Sequence, residues 1–210
     1  MLLWINGPFG GGKTQTAYEI QRRLPGSVVC DPEHAGFGLR RMLPPELRGD
    51  FQDLTSWRQG VVEVLDLALT KHEGVVIAPM TVTDSGYFAE TVGRLGELGH
   101  DVRHFTLLAR RETVVKRLRE RGFGHLLQFV GGKNAGLGRE TWAVQQLDHC
   151  LERLREPEFA EHLWTDDSTV PKTADRIAVL AGLRLRPNNE GALRTRLRQV
   201  RIGVKHIRFD

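Results

Sequence analysis

Residues 7–14, Gly7-Pro8-Phe9-Gly10-Gly11-Gly12-Lys13-Thr14, fit the spacing G-x-x-x-x-G-K-[ST], and nothing else in the 210-residue chain constrains its fold as tightly. The octet stands between the apolar run Leu2-Leu3-Trp4-Ile5-Asn6 and a helical run that opens Lys13-Thr14-Gln15-Thr16-Ala17. Strand, loop and helix in that order are the context in which the motif carries chemistry. Its glycines let successive backbone N–H groups converge on an anion, and the helix N-terminus adds partial positive charge. The segment reads as a P-loop holding the triphosphate of ATP or a close analogue. Gly7, Phe9, Gly10, Gly11, Gly12 and Gln15 line the nucleotide, Lys13 reaches the β- and γ-phosphates, and Thr14 ligates Mg²⁺.

Apolar, β-branched runs at 2–6, 27–30, 74–80, 102–109 and 162–165 alternate with helical spacing at 13–24, 57–72, 87–98, 112–121, 141–154 and 173–181. The alternation predicts an α/β fold with a five-stranded parallel sheet flanked by helices, the P-loop NTPase fold of the nucleoside/shikimate-kinase type. One domain is expected over 1–182. The interval 122–138 holds Gly122, Gly124, Gly131, Gly132, Gly136 and Gly138 and follows the fourth strand. Small kinases carry a mobile lid at that place, and an ordinary connection without a catalytic part is the alternative.

A metal-supporting acid is expected at the end of a further strand. The runs ending in Pro79-Met80-Thr81 and in Ala109 supply none, whereas Val28-Val29-Cys30 ends in Asp31. In a parallel sheet this carboxylate lies at the edge where ligands bind. Asp31 is the candidate base for a substrate hydroxyl attacking the γ-phosphate; followed by Pro32, it suits a turn or helix cap equally. Thr81 and Asp84 are candidates for contact with metal-bound water or substrate.

Phosphoryl transfer spreads negative charge over the moving group, so cations are expected above it. Arg117 and Arg121, four apart on one helix face, either fill that role or belong to a solvated basic face. Asp166, after the last strand, is placed at the adenine edge, with a helix cap as its other role. Arg40, Trp57 and Arg58 lie between Asp31 and the third strand, the interval small kinases use for the acceptor. Arginine suits sugar or phosphate-like groups, and the Trp57 indole suits stacking or core packing. His100 and His104 have ligand spacing but read as structural.

The apolar share of 40% and charged share of 27% are those of a chain that packs a core. Two distant cysteines, Cys30 and Cys150, suggest neither a disulfide framework nor a zinc site and fit a reducing, cytoplasmic setting. The apolar start is too short for a signal peptide, and no apolar run approaches a membrane span. Net charge is +4, yet residues 183–210 carry a net +6. Basicity therefore belongs to a C-terminal tail, which argues against nucleic acid as the partner of the domain. In that tail Leu193, Leu197, Val200, Val204 and Ile207 form an apolar stripe among arginines, suited either to an anionic membrane face or to packing on the domain.

Several segments together resemble the tunicamycin-resistance protein family of bacteria. They are Trp4-Ile5-Asn6-Gly7 through Thr16-Ala17, Asp31-Pro32-Glu33, Gly36-Phe37, Leu39-Arg40, Asp50-Phe51-Gln52, Trp57-Arg58, Pro79-Met80-Thr81, His104-Phe105-Thr106-Leu107, Trp142 and His206-Ile207-Arg208. The resemblance implies an ATP-binding protein that protects against a nucleoside antibiotic, with a peripheral membrane location attributed to the C-terminal part. Phe51, within these segments and in the same interval, joins Asp31, Arg40, Trp57, Arg58 and Thr81 as a candidate on the acceptor side. ATP rather than GTP rests on the resemblance, since no base-reading motif stands out.

Three functions follow as expectations. The first is phosphoryl transfer from MgATP to a hydroxyl of a nucleoside-type antibiotic. The second is ATP-dependent sequestration of the antibiotic at the membrane without chemistry. The third, a nucleic-acid-dependent ATPase using the tail, ranks last because the excess charge is confined there.

Overall fold

Successive residues of a strand face opposite sides of a sheet, and the first strand, β1 (Leu2–Asn6), is apolar on both. Leu2 and Trp4 enter one core layer, Leu3 and Ile5 the other, and all four are fully buried. The computed structural model describes residues 1–120, 147–189 and 191. Within them β1 leads through the glycine-rich octet into α1 (Lys13–Arg23). Then follow β2 (Val28–Val29), α2 (Glu33–Met42), α3 (Thr55–Lys71) and β3 (Val76–Pro79). Next come α4 (Ser85–Phe88), a π-helical turn (Ala89–Gly93) and α5 (Arg94–Glu97), one continuous helical rod, then β4 (Val102–Leu108) and α6 (Arg111–Glu120). A helical stretch at 147–153 precedes β5 (His162–Trp164) and α7 (Val170–Leu180).

The five strands form one sheet in the order β2-β3-β1-β4-β5, with every pairing parallel. The expected fold class is the observed one. Because helices cover both faces of this parallel sheet, its central strand β1 must be apolar on both. One face packs Trp57, Val61 and Leu65 of α3 with Val92 and Leu95; the other packs Ala17 and Ile20 of α1 with Ala174 and Ile177 of α7.

Strand β2 is shorter than the expected 27–30 and lies at the sheet edge, where only Val28 and Val29 find ladder partners in β3. Helix α2 was not expected, because Gly36 and Gly38 break its apolar periodicity. Gly36 is there for space: a Cβ would fall 2.3 Å from the Phe51 ring. The expected lid at 122–138, Arg121 and Trp142 lie outside the described residues, as does the apolar stripe of the tail. Beyond the expected boundary at 182 the chain still packs on the domain. Leu183 and Leu185 lie against the α1–α7 layer, and Arg186 N–H donates to the Arg23 carbonyl at 2.8 Å. Buried Arg23 returns a bond from Nε to the Arg186 carbonyl (2.7 Å) and pairs with Asp175 (2.5 Å). No helix among the described residues is long and apolar enough to cross a membrane.

The two histidines serve the fold. His100 Nε2 lies 2.6 Å from Asp66, tying the chain before β4 to α3. His104 Nδ1–H donates to the Ala160 carbonyl at 3.0 Å and its ring lies 4.6 Å from that of Phe88. Burial pushes the His104 imidazole from the ordinary 6.5 down to about 4; the Ala160 bond opposes the shift and neighbouring His162 adds to it. Between those values the unfolded chain binds a proton that the folded chain refuses, so stability is whole above pH 6.5 and falls as pH drops toward 4. Thermal unfolding scans should show a loss on the order of 3 kcal/mol across this window, with the slope flattened in His104→Gln.

Candidate active site

The octet wraps around its own lysine. Gly7, Gly10 and Gly12 have φ of 147°, 76° and 96°, open to glycine and strained for other residues. At Gly7 a Cβ would also lie 2.7 Å from the Leu107 carbonyl oxygen. Gly11 N–H closes the turn on the Pro8 carbonyl at 2.9 Å. Buried Lys13 sends its ammonium back to the carbonyls of Gly7 (2.9 Å) and Pro8 (3.1 Å), with the ring of exposed Phe9 centred 5.6 Å away. Thr14 and Gln15 follow in the first turn of α1, Thr14 half-buried and Gln15 buried.

Helix α1 has Gly12 at its N-cap, no side-chain cap and no acid in its first turn. Lys13 adds positive charge at the end where the helix dipole is already positive, an arrangement that an anion relieves. A helix N-terminus without a side-chain cap, a glycine cradle and a fixed ammonium therefore suit a phosphate chain, and the Thr14 hydroxyl suits the metal that travels with it.

Asp31, Thr81 and Gly7 follow the C-terminal ends of β2, β3 and β1, three neighbouring strands on one sheet edge. Strands lie about 4.8 Å apart, so Asp31 stands two strand spacings, about 10 Å, from the loop. Its Oδ1 accepts the Glu33 N–H at 3.0 Å, the capping role weighed from sequence, at the start of α2.

The acceptor-side candidates divide. Phe51 packs edge-on against Phe37 of α2 (5.4 Å between centroids) and tilted against Trp57 (5.4 Å). Arg40 sits half-buried in the last turn of α2. Trp57 is fully buried, with its indole N–H donating to the Pro32 carbonyl at 3.0 Å. Stacking on a ligand is thereby corrected: a ring with no exposed face, packed between α3 and the sheet, instead holds the residue after Asp31. Arg58 is buried too and turned outward along α3. It pairs with Glu90 at 2.6 Å, donates to the Gln52 carbonyl and lies 4.4 Å from the Tyr87 ring. Thr81 is buried, with its hydroxyl on the Gly7 carbonyl at 2.8 Å. Asp84 caps α4 by accepting Tyr87 N–H at 2.8 Å.

Across the loop, Arg117 of α6 donates to the Thr165 hydroxyl (3.0 Å) and carbonyl (2.6 Å), bridging α6 to the end of β5. Asp166 accepts the Arg110 N–H (2.9 Å) and the Thr113 hydroxyl (2.6 Å). Burial works against its ionisation, yet the Thr113 hydroxyl and Arg110 outweigh it and hold the carboxyl below the usual range. It therefore caps α6, whereas α7 has Thr169 as its cap. Arg110, Trp164, Asp166, Asp167 and Ser168 line a cavity of about 530 Å³. Arg110 and Trp164 were missed in the sequence, Arg110 because it directly follows an apolar strand and looks like any surface cation. Asn6 was missed as well, its signal being a polar side chain ending an apolar strand.

The family described as AAA domain matches residues 2–125. The structure of the Deinococcus radiodurans tunicamycin resistance protein is similar at 31% identity with a TM-score of 0.71, over 89% of this chain and 99% of that one. A sugar kinase from Janibacter sp. HTCC2649 is similar at 15% identity and a TM-score of 0.55, over 87% of this chain and 94% of that one. An APS kinase from Mycobacterium tuberculosis, in complex with AMPPNP and APS, is similar at 13% and 0.54, over 86% and 96%. At such identities these two speak to the fold alone. A search among curated proteins finds no match. With a P-loop on a five-stranded kinase-like sheet and a relative alike over nearly its whole length, the chain belongs to the tunicamycin-resistance protein family of AAA-domain proteins.

Proposed function

We propose that the protein transfers the γ-phosphate of ATP to a hydroxyl of a nucleoside-type antibiotic such as tunicamycin. The observation that carries this reading is the pairing, on one sheet edge, of a phosphate-ready loop with the carboxylate of Asp31 about two strand spacings away. That gap accommodates a transferring phosphoryl group and an attacking hydroxyl. The printed name of the relative from D. radiodurans supplies the substrate class.

In this reading Asp31 takes the hydroxyl proton while the acceptor oxygen bonds to the γ-phosphorus. The bond from that phosphorus to the β–γ bridging oxygen breaks, and ADP leaves. Lys13, fixed by two carbonyls, places its charge against the β- and γ-oxygens. Arg117 and Arg121 supply further positive charge, Arg40 and Phe51 border the acceptor, and Trp57 steadies the Asp31-Pro32 junction. Mg²⁺, held through the Thr14 hydroxyl, neutralises phosphate charge when bound. The base end of the nucleotide is assigned to the cavity beside Asp166.

Mass spectrometry of tunicamycin and a nucleoside panel, after incubation with the protein and MgATP, tests the proposal, with Lys13→Ala as control. A gain of one phosphoryl group that the control lacks is the expected result. Unmodified antibiotic despite measured binding of both ligands would replace it with ATP-dependent sequestration.

A further inference from the structure

The hydroxyl of Thr81, a candidate for contact with metal-bound water or acceptor, is committed to the loop. It donates to the Gly7 carbonyl at 2.8 Å, and Lys13 Nζ donates to the same oxygen at 2.9 Å. Thr81 is 5% exposed, so that bond is made where water does not compete. The other side of Gly7 is held as firmly. Fully buried Asn6 accepts the Gly7 N–H (2.8 Å) and the Val82 N–H (3.0 Å) on Oδ1, and its Nδ2 donates to the Val82 carbonyl (2.8 Å). Thus Thr81 directly, and Val82 through Asn6, hold the first glycine of the loop from both ends, across 74 to 76 positions of sequence.

We infer that Thr81 is a positioning residue for Lys13: it fixes the Gly7 carbonyl, which in turn aims the ammonium at the phosphates. An ammonium has three donors. Lys13 donates to the carbonyls of Gly7 and Pro8, and these acceptors help hold the ammonium where it lies. The Pro8 carbonyl is braced by Gly11 N–H, and the Gly7 carbonyl by Thr81. Without the hydroxyl, the Gly7 carbonyl keeps Lys13 as a partner but loses its fixed direction. The loss falls on nucleotide affinity rather than on the acceptor. This inference rests on the nucleotide-binding part of the proposed function and not on phosphoryl transfer.

The test compares Thr81→Val and Thr81→Ser with the parent protein. Affinity for ADP is measured by calorimetry in EDTA, without metal or acceptor, and amide exchange is followed over residues 7–12 without nucleotide. Thr81→Val is expected to weaken ADP binding about fivefold and to speed exchange in the loop, while Thr81→Ser stays within about twofold of the parent. Unchanged ADP affinity in EDTA, with a deficit appearing only when Mg²⁺ or acceptor is added, overturns the inference in favour of a metal-water or acceptor contact. A lower Tm with unchanged affinity overturns it as well. Should the parent protein bind no ADP, the nucleotide reading fails separately, and equal loop exchange in parent and Thr81→Val would then sink the positioning role.

Discussion

Asp31→Asn is expected to lower turnover by about three orders of magnitude while leaving ATP affinity unchanged, as read by steady-state kinetics and calorimetry side by side. The substitution separates the two tasks of the carboxyl group. Capping needs an acceptor for the Glu33 N–H, and an amide oxygen supplies one at the same place. Proton uptake needs a basic carboxylate, which an amide lacks. Helix α2 should therefore stay docked, with Phe51 against Gly36 and Trp57 on the Pro32 carbonyl, and thermal stability should change little. Full turnover in this variant would remove Asp31 from the chemistry and leave it a cap.

Lys13→Ala is expected to weaken ATP binding by about two orders of magnitude with Tm close to that of the parent protein, measured by calorimetry and thermal scans. A buried lysine is ordinarily costly to remove, because its partners are left unpaired. Here the Gly7 and Pro8 carbonyls each have a second donor, Thr81 on the first and Gly11 N–H on the other. The substitution also relieves positive charge at the N-terminus of α1, so the empty loop should persist. Undiminished affinity would mean that the nucleotide is held elsewhere.

What was legible in the sequence was what neighbouring residues decide. β1, the octet and α1 follow from period-two apolarity, glycine spacing and period 3.6, and the parallel sheet follows from their alternation with later runs. Asp31 was found because a carboxylate directly follows a strand. What tertiary packing decides was not legible. Helix α2 hid behind two glycines, one of which exists only to admit a ring from residue 51. The pattern that places Trp57 on a helix is the same whether the ring faces ligand or core, and α3 turns it to the core. The bonds of Thr81 to Gly7 and of Val82 to Asn6 join residues more than seventy positions apart, for which no local pattern exists. In the sequence Asp166 stands near the start of the helix expected at 173, and only the fold shows that it serves α6.

The position of β1 between β3 and β4 has a consequence for the order of events during synthesis. The strand that carries the phosphate loop has no partner until residues 76–79 have been made and is not flanked on both sides until residues 102–108 follow. Parallel pairing across such separations is slow, since loop closure precedes the contacts that reward it. Until then Leu2, Leu3, Trp4 and Ile5 form an apolar ribbon that lacks one or both of its strand neighbours. The segment that defines the nucleotide site is thus made before the strands that complete it, and a growing chain of this protein gains from whatever shields that ribbon in the interval.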